Sequence, residues 1–232
     1  MLGFIIGLYL IKKINNKFSI PLQNKDLDNF FIWSVLGIII GGRLGYTIFY
    51  QTESIIYDPL SILFIWQGGM SFHGGLIGIV LSMILYAQKK RINFFQLSDL
   101  VATVAPIGIF LGRLANFINV ELYGRVTNFP FAMIYPNIDN QTRHPSQLYE
   151  AFFEGLFLFI LLFFISDKSF KKNKYGNTTS FFLILYGFFR FTLEFLREPD
   201  VHLGLYYNFF TMGQILSIPM IIFGISLYWK RN

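Results

Sequence analysis

The chain has 232 residues, of which 54% are hydrophobic, 19% aromatic and only 14% charged, and its mean hydropathy is +0.51. Because a soluble domain carries roughly 25% charged residues, this composition indicates a membrane protein; the formal charge of +6 reflects membrane topology, and we expect no nucleic-acid partner. The chain has no cysteine and only three scattered histidines, which excludes disulfides and thiolate chemistry on this chain and predicts neither a metal site nor a cofactor.

The chain opens with an apolar run over residues 1–11, followed directly by Lys12 and Lys13. A helix of this length reaches about 16 Å, roughly half the thickness of the hydrocarbon layer. We therefore expect a first span that is truncated as the sequence stands. A short, half-inserted helix is the alternative.

Six further apolar runs are long enough, or nearly so, to cross a bilayer as helices. A shorter stretch, 54–66, is interrupted by Pro59 and predicts an interfacial arm. The sequence thus predicts an all-α polytopic membrane protein with about seven transmembrane helices. We expect one transmembrane domain over residues 1–232, with a small extracytoplasmic head at about 118–147 between helices 4 and 5. The six longer runs cover residues 30–50, 70–88, 97–117, 148–166, 180–196 and 208–229.

Lysine and arginine are distributed unevenly between the loops. If Lys12 is cytoplasmic, thirteen of the nineteen basic residues fall in cytoplasmic loops and at the C-terminus, whereas the opposite loops hold three. Basic loops stay inside, so we predict a cytoplasmic N-terminal basic loop and a cytoplasmic C-terminus. The other three, Arg43, Arg113 and Arg190, lie in the outer halves of spans that run outward. Ionisable groups at such depth usually mark a site, which we expect to face the extracytoplasmic side.

Glycines recur at a spacing of four residues in two of the predicted spans. The second span contains Gly37, Gly41 and Gly45, and the third contains Gly74 and Gly78. Small residues at this spacing let transmembrane backbones approach each other closely. We therefore predict close helix packing through these glycines.

The segment 112–124 reads Gly-Arg-Leu-Ala-Asn-Phe-Ile-Asn-Val-Glu-Leu-Tyr-Gly and lies where a span leaves the membrane. In a continuing helix, Arg113, Asn116 and Asn119 share one face at i, i+3 and i+6. Arginine presents a fork of donors that matches phosphate oxygens, and the asparagines add donors and acceptors for hydroxyl or ester groups. Together with Glu121, these residues predict a site for a phosphate-bearing ligand. A snorkelling arginine with asparagines at a helix end is the alternative.

Two further segments carry ionisable side chains that we place near the same side. Arg190 and Glu194 form an i, i+4 pair, and Arg197 follows on the same side of the helix. The pair fits a ligand site, but in the alternative interpretation Glu194 is a purely structural counter-ion. His73 lies among glycines and can titrate near neutrality, so it is a candidate base; a hydrogen-bonded structural histidine is the alternative.

The predicted head leads into the fifth apolar run. Arg143 and His144 precede Pro145, which with the following serine indicates a helix start. Within that helix we interpret Glu150 and Glu154 as polar faces only.

At these residues the chain resembles the prolipoprotein diacylglyceryl transferase family, a group of bacterial membrane enzymes. The segment 112–124 fits the family signature G-R-x-[GA]-N-F-x-N-x-E-x-x-G at every specified position. One departure is the start, where the family's first helix begins earlier and carries a functionally important tyrosine. The likeness spans nearly the whole chain and also includes residues 41–46, 69–75, 143–150, 186–190, 194–195 and 212–217.

The resemblance implies a reaction, a location and a set of residues. The family moves the diacylglyceryl group of phosphatidylglycerol onto the thiol of the lipobox cysteine of prolipoproteins, and releases glycerol phosphate. The resemblance also implies a multi-pass protein of the bacterial inner membrane whose partners are phosphatidylglycerol, the lipobox segment and the lipid bilayer. By likeness, Arg113 and Arg190 hold the lipid head group, and Arg43 and Asn119 are further candidates for binding it. The family's other functional positions are occupied by His73, Asn116, Glu121, Gly124 and Glu194.

The chemistry of this reaction agrees with the residues. A thiol of pKa near 8.5 is only about 3% ionised at pH 7, so a base would help; His73 is the first candidate and Glu121 the second. Negative charge grows on the departing phosphate oxygen, where arginine donors are worth most. A transporter or flippase for an anionic lipid or solute is the competing interpretation, since intramembrane arginines also suit an anion path. No convincing inverted repeat or pair of broken helices favours it.

Overall fold

The computed structural model describes residues 2–18, 20, 22–50, 57, 60, 64, 66, 68–199 and 209–231. Helices dominate this part of the chain, and a two-stranded antiparallel ribbon accompanies them. The interfacial arm predicted at 54–66 lies largely outside the described residues.

Seven helices occur within the described residues, and each overlaps one of the apolar runs. The first continues seven residues beyond its run, through Lys12 and Lys13, because lysine is a good helix former whose long side chain can carry its charge away from apolar surface. The sixth ends three residues before its predicted end. The helices are α1 (Leu2–Phe18), α2 (Asn24–Tyr50), α3 (Phe72–Lys90), α4 (Phe94–Ile118), α5 (Ser146–Lys171), α6 (Asn177–Leu193) and α7 (Met212–Arg231).

Four of these helices are long and apolar enough to cross a membrane, over Asn24–Ile48, Phe94–Ile118, Ser146–Lys171 and Met212–Arg231. The other three, α1, α3 and α6, are shorter, at 17, 19 and 17 residues. The protein is therefore an essentially all-helical polytopic membrane protein. That the three shorter helices also cross the bilayer stays a prediction.

The loop between α4 and α5 holds a small antiparallel ribbon of β1 (Met133–Ile134) and β2 (Thr142–Arg143). Thr127 closes its base: the Thr127 N–H donates to the Thr142 carbonyl at 2.9 Å, and the Thr127 carbonyl accepts from Thr142 Oγ1 at 2.7 Å. A folded loop thus occupies the place where the small head was predicted.

The chain forms two compact units: unit 1 is Met1–Ile14 with Ser98–Asn232, and unit 2 is Asn15–Leu97. A single domain over the whole chain stays a prediction. Unit 2 is built around α2 and α3. A Cβ on Gly41 would collide with the Gly74 carbonyl oxygen of the facing helix. The two backbones therefore touch, which confirms the predicted glycine packing.

Unit 1 also contains close helix contacts at glycines. A Cβ on Gly155 of α5 would lie 2.6 Å from Phe110 Cβ and 2.7 Å from Phe110 Cα of α4. Between α6 and α7, a Cβ on Gly187 would approach Ser217 O to 3.2 Å. These glycines let α4 approach α5, and α6 approach α7, more closely than any larger residue would allow.

Helix α5 is not wound uniformly. Its segment Ala151–Phe157 is π-helical, between the α-helical segments Ser146–Glu150 and Leu158–Lys171. Turns of this kind are rare and occur frequently at functional sites. Here the π-helical segment begins directly after Glu150 and contains Glu154.

Candidate active site

Two of the predicted arginines meet on a pair of carboxylates. Arg113 of α4 contacts Glu150 through Nε, at 3.0 Å from Oε2, and Glu154 through Nη2, at 3.2 Å from Oε2. Arg190 of α6 contacts the same carboxylates through Nη1, at 3.1 Å from Glu150 Oε1 and 3.7 Å from Glu154 Oε1. The two glutamates of α5 therefore join guanidinium groups from two other helices.

Two further charged groups complete this arrangement. Arg190 Nη2 contacts Glu194 Oε2 at 2.8 Å, as the i, i+4 spacing predicted. Arg197 Nη1 lies 3.9 Å from Glu150 Oε1. The Glu194 carboxylate packs against Gly213 of α7, where a Cβ would lie 2.8 Å from the carboxylate carbon. The arginine–glutamate cluster is defined here as Arg113, Glu150, Glu154, Arg190, Glu194 and Arg197.

The backbone of α5 explains how its carboxylates reach both arginines. Gly155 brings α5 against Phe110, about one helical turn before Arg113 on α4. Because Glu150 and Glu154 are four residues apart, they project from the same side of the helix. Close packing at one glycine thus places two carboxylates within reach of a neighbouring guanidinium.

The carboxylates of the cluster and Arg197 are buried, and the charges of the cluster balance. Glu150 and Glu154 are 0% exposed, and Glu194 and Arg197 are 5% and 6% exposed. With all groups ionised, three guanidinium groups face three carboxylates. An uncompensated buried charge is strongly destabilising, whereas a paired one is tolerated. Each member of the cluster therefore depends on the others to remain charged.

The structure both supports and corrects the sequence analysis of this region. Arg113 and Arg190, predicted to share one site, do meet. Interpreting Glu150 and Glu154 as polar faces of α5 was wrong, because both are fully buried and ion-paired. The signal that could have found them is their cost: a glutamate within an apolar span is as expensive as an arginine there.

The ion pairs do not engage every nitrogen of the two guanidinium groups. Arg113 Nη1 and Arg190 Nε take no part in the ion pairs among the described residues. The two side chains are 15% and 14% exposed. Each arginine thus combines a fixed orientation with donor capacity for the oxygens of an anion.

Asn116 and Glu121 are joined where α4 ends. Asn116 Nδ2 donates to Glu121 Oε2 at 2.8 Å, and the Glu121 N–H donates to the Asn116 carbonyl at 2.8 Å. Val120 and Leu122, on either side of Glu121, have φ angles of 58° and 54°. A branched residue is strained in this left-handed region, and such strain concentrates at functional sites. Asn119 lies exposed in this turn, just past the helical face predicted to include it.

Gly124 is wedged between backbone segments. Its N–H donates to the His144 carbonyl at 3.0 Å, and its carbonyl accepts from Arg143 Nη1 at 3.2 Å. A Cβ here would collide with the His144 carbonyl oxygen and approach Leu196 O to 2.9 Å. Packing explains why glycine is needed at this position, and a direct contact between Gly124 and a lipid stays a prediction.

Arg143 organises the charged base of the loop. It pairs with Asp139 at 2.7 Å and with Glu198 at 3.2 Å, and its guanidinium lies 5.0 Å from the ring centre of Tyr123. The hydrogen bond from Arg143 lowers the pKa of Asp139, and the same bond raises the pKa of Arg143. Burial lowers the pKa of His144, which favours its neutral imidazole.

In unit 2, Arg43 and His73 lie at the same end of the α2–α3 pair. Arg43 is buried, its Nη1 donates to the carbonyls of Gly68 and Gly69, and its guanidinium lies 5.8 Å from the ring centre of Tyr46. His73 is exposed in the first turn of α3. A lipid-binding role for Arg43 and a role as base for His73 stay predictions.

The chemistry that the cluster offers is electrostatic. Its fixed guanidinium groups can stabilise an anion, and its carboxylates hold them in place. Among the residues that the structure describes, no three histidine or acidic side chains are grouped so as to hold a metal ion.

Comparison with known proteins extends over almost the whole chain. A family model of prolipoprotein diacylglyceryl transferase matches residues 1–230. The phosphatidylglycerol–prolipoprotein diacylglyceryl transferase of Rickettsia felis is 47% identical over 232 residues, which cover 100% of this chain and 90% of the relative. The protein of the same name from Rickettsia canadensis is 48% identical over 227 residues, covering 98% of this chain and 88% of the relative.

Proposed function

Because the chain belongs to the prolipoprotein diacylglyceryl transferase family, we propose that it transfers the diacylglyceryl group of phosphatidylglycerol to the thiol of the lipobox cysteine of prolipoproteins. Glycerol phosphate is released, and the reaction is the first step of bacterial lipoprotein maturation. The observation that carries this proposal is the match over residues 1–230, which includes every member of the arginine–glutamate cluster.

We assign the phosphate of the lipid head group to Arg113 and Arg190. Glu150 and Glu154 fix the two guanidinium groups before any lipid arrives, so their remaining donors need little reorganisation. As the bond between the glyceryl carbon and the phosphate oxygen breaks, negative charge grows on that oxygen. Preorganised donors act most strongly on such developing charge, and each charged hydrogen bond contributes about 1.5–3 kcal/mol.

The thiol loses its proton as its sulfur attacks the glyceryl carbon. His73 is our first candidate for the accepting base, and Glu121, held by Asn116, is the second. Glu194 orients Arg190 through their ion pair. The other residues that we assign to lipid binding, by position or by family likeness, are Arg43, Asn119 and Gly124.

We infer seven membrane-spanning helices in the bacterial inner membrane, with the basic N-terminal loop and the C-terminus in the cytoplasm. The positive-inside distribution of lysine and arginine supports this orientation. The three shorter helices would reach about 26–29 Å at 1.5 Å per residue, close to the thickness of the hydrocarbon layer of about 30 Å. In this orientation the arginine–glutamate cluster and the loop between α4 and α5 face the extracytoplasmic side.

The activity is tested with the purified protein in detergent, given phosphatidylglycerol labelled in its acyl chains and a lipobox peptide. We expect the label to appear on the cysteine of the peptide, and glycerol phosphate to appear in equal amount. A transporter or flippase needs two compartments and would leave the peptide unmodified in detergent. If the peptide stays unmodified although a thermal unfolding measurement shows that the protein is folded, the proposal is overturned.

A matched pair of arginine variants shows whether the activity belongs to the cluster. Arg190→Lys keeps the charge but loses the fork geometry, so we expect the label to stay on the lipid. Arg91→Lys changes an exposed arginine at the end of α3, and we expect wild-type transfer. Equal activity of the two variants would contradict the role of Arg190.

A further inference from the structure

The loop between α4 and α5 exposes an uncharged, apolar tip. We define the loop tip as residues 128–138, a stretch that contains no charged side chain. Surface hydrophobic residues are ordinary when scattered singly, but a group of them marks an interaction site. The exposed large apolar side chains of the tip are Phe129 (48%), Phe131 (72%), Met133 (40%), Ile134 (53%) and Ile138 (41%).

The base of the same loop is held by hydrogen bonds, and Arg143 within it is ion-paired. Thr127 and Thr142 are bonded twice, and Arg143 is paired with both Asp139 and Glu198. A hydrogen-bonded base therefore supports the apolar tip. The charged side chains Asp139 and Arg143 lie in this base and not in the tip.

The exposed residues lie on both faces of the ribbon. Met133 and Ile134 are neighbours in β1, so their side chains point to opposite faces, and both are exposed. A protein or peptide that docked against the ribbon would cover one face and leave the other in water. Lipid would surround both faces at once.

The position of the loop favours lipid as well. It connects α4 and α5, two helices that are long and apolar enough to cross the membrane. Exposed apolar side chains such as Phe152 and Phe153 appear on α5 soon after the helix begins at Ser146. Apolar side chains that α5 can offer to lipid therefore lie close in sequence to the end of the loop.

We propose that the loop tip is immersed in the interfacial region of the phospholipid leaflet on its own side of the membrane. Phenylalanine is typical of the membrane-facing side of interfacial segments, and binding to the leaflet strengthens with the apolar area that is buried in it. The ribbon then anchors the loop at the membrane surface. This inference depends on the protein being embedded in a membrane and is independent of the transferase reaction.

The lack of cysteine makes a direct test possible, because a single introduced cysteine is then the only site for a thiol-specific spin label. Phe131→Cys places the label at the tip, and Asn140→Cys places it in the exposed turn before β2 as a matched control. Both proteins are reconstituted into vesicles of phosphatidylcholine and phosphatidylglycerol. Relaxation of the label is then compared between oxygen, which concentrates in lipid, and a water-soluble nickel complex.

We expect oxygen to relax the label at position 131 more strongly than the nickel complex does, and the reverse at position 140. A label at position 131 that responds mainly to the nickel complex would overturn the proposal. A label that becomes protected only after a lipobox peptide is added would also overturn it, because the tip would then be a peptide-binding surface.

A second pair of variants separates immersion from an accidental property of the label. With the label at Ile134→Cys, a further Phe131→Asp change should shift its response from oxygen towards nickel, whereas Phe131→Leu should leave it unchanged. Thermal unfolding confirms that both proteins are folded. An unchanged oxygen response in the Phe131→Asp protein would count against the proposal.

Discussion

The two ends of α6 both bury carboxylates, but the carboxylates have different partners. At the N-terminal end, Asp99 of α4 is 1% exposed. It accepts hydrogen bonds from the N–H of Gly176 at 2.7 Å, from the N–H of Thr179 at 2.8 Å and from Thr179 Oγ1 at 2.6 Å. The first N–H groups of a helix lack partners within the helix, and negative charge is favoured beside them. This carboxylate therefore caps the helix.

At the C-terminal end, the carboxylates contact guanidinium groups and cap no helix. Glu150 and Glu154 lie inside α5, which continues past them, and Arg113 lies five residues before the end of α4. Only Arg190, in the last turn of α6, lies where a helix terminus favours its charge. The cluster nevertheless pays the desolvation of six ionised groups.

This difference separates two reasons for burying a charge. The capping carboxylate completes the fold, so variants there should change stability while leaving the chemistry of the folded protein alone. The carboxylate side chains of the arginine–glutamate cluster bond to guanidinium groups and not to the end of a helix, so variants there should change catalysis at least as much as stability.

The largest effect is expected from Arg113→Lys. Lysine keeps the positive charge but cannot contact two carboxylates and a phosphate through a planar fork, so transfer should fall by about 100-fold or more. Transfer of labelled lipid to a lipobox peptide measures the loss. Wild-type activity in this variant would refute the bidentate role and would break the distinction between the two ends of α6.

Removing a carboxylate from the cluster should come next. Glu150→Ala leaves buried guanidinium groups without their shared partner, which should lower the free energy of unfolding by about 3–5 kcal/mol. Thermal unfolding in detergent measures the change. Glu198→Ala, which breaks a more exposed pair with Arg143, should cost about 1 kcal/mol or less. Equal costs would show that the cluster is not electrostatically coupled.

The packing that positions the cluster can be changed without touching a charge. Gly155→Ala places a Cβ against Phe110 and should cost about 1–3 kcal/mol by overpacking. Because α5 then moves relative to Arg113, transfer should also fall. Gly108→Ala on α4, where a Cβ meets nothing within 4 Å, is the matched control. Loss of stability without loss of transfer in Gly155→Ala would argue against positioning through this contact.

At the other end of α6, Asp99→Asn should reduce stability by about 1–3 kcal/mol, because an amide cannot accept from both Gly176 and Thr179. The fraction that remains folded should transfer lipid at the wild-type rate. Activity is therefore normalised to folded protein at a temperature well below unfolding. A loss of normalised activity comparable to that of Arg113→Lys would remove the contrast between the two ends.

The smallest effect concerns the ion pair of Asp139 and Arg143. Because Arg143 lowers the pKa of Asp139, the pair should support the loop at neutral pH and be lost as the pH falls through that lowered pKa. A spin label at Asn140→Cys should therefore become more mobile in acid. When Asp139→Asn is added, the same label should be mobile at all pH values. If its mobility still depended on pH as it does without Asp139→Asn, the assignment to this ion pair would be contradicted.

The helices could be predicted because long apolar runs admit few other structures in a membrane. The arginine pair could be predicted because Arg113 and Arg190 are expensive at their depth. The partners of these arginines could not, since the spacing of Glu150 and Glu154 describes one face of one helix and not what the neighbouring helices present to it. That depends on the contact at Gly155, which no local pattern in the sequence indicates.

Two other features were beyond sequence reasoning for similar reasons. Asp99 caps a helix that begins 78 residues later, and no short spacing connects the two. The π-helical segment Ala151–Phe157 has no periodicity of its own in so short a stretch. The turn around Glu121 was singled out for its polar residues, but its two left-handed neighbours, Val120 and Leu122, are residues that rarely adopt that conformation.

The glycine contact between α2 and α3 has a consequence for how the protein can be handled. At two positions between these helices the closest neighbours are backbone atoms: a Cβ on Gly41 would meet the Gly74 carbonyl, and a Cβ on Gly78 would meet the Gly37 carbonyl. Contact of this kind holds transmembrane helices together by direct atomic packing, and it owes little to the expulsion of water. Exchanging the bilayer for a mild surfactant should therefore leave this helix pair intact, so that Arg43 is still held in its native setting throughout purification.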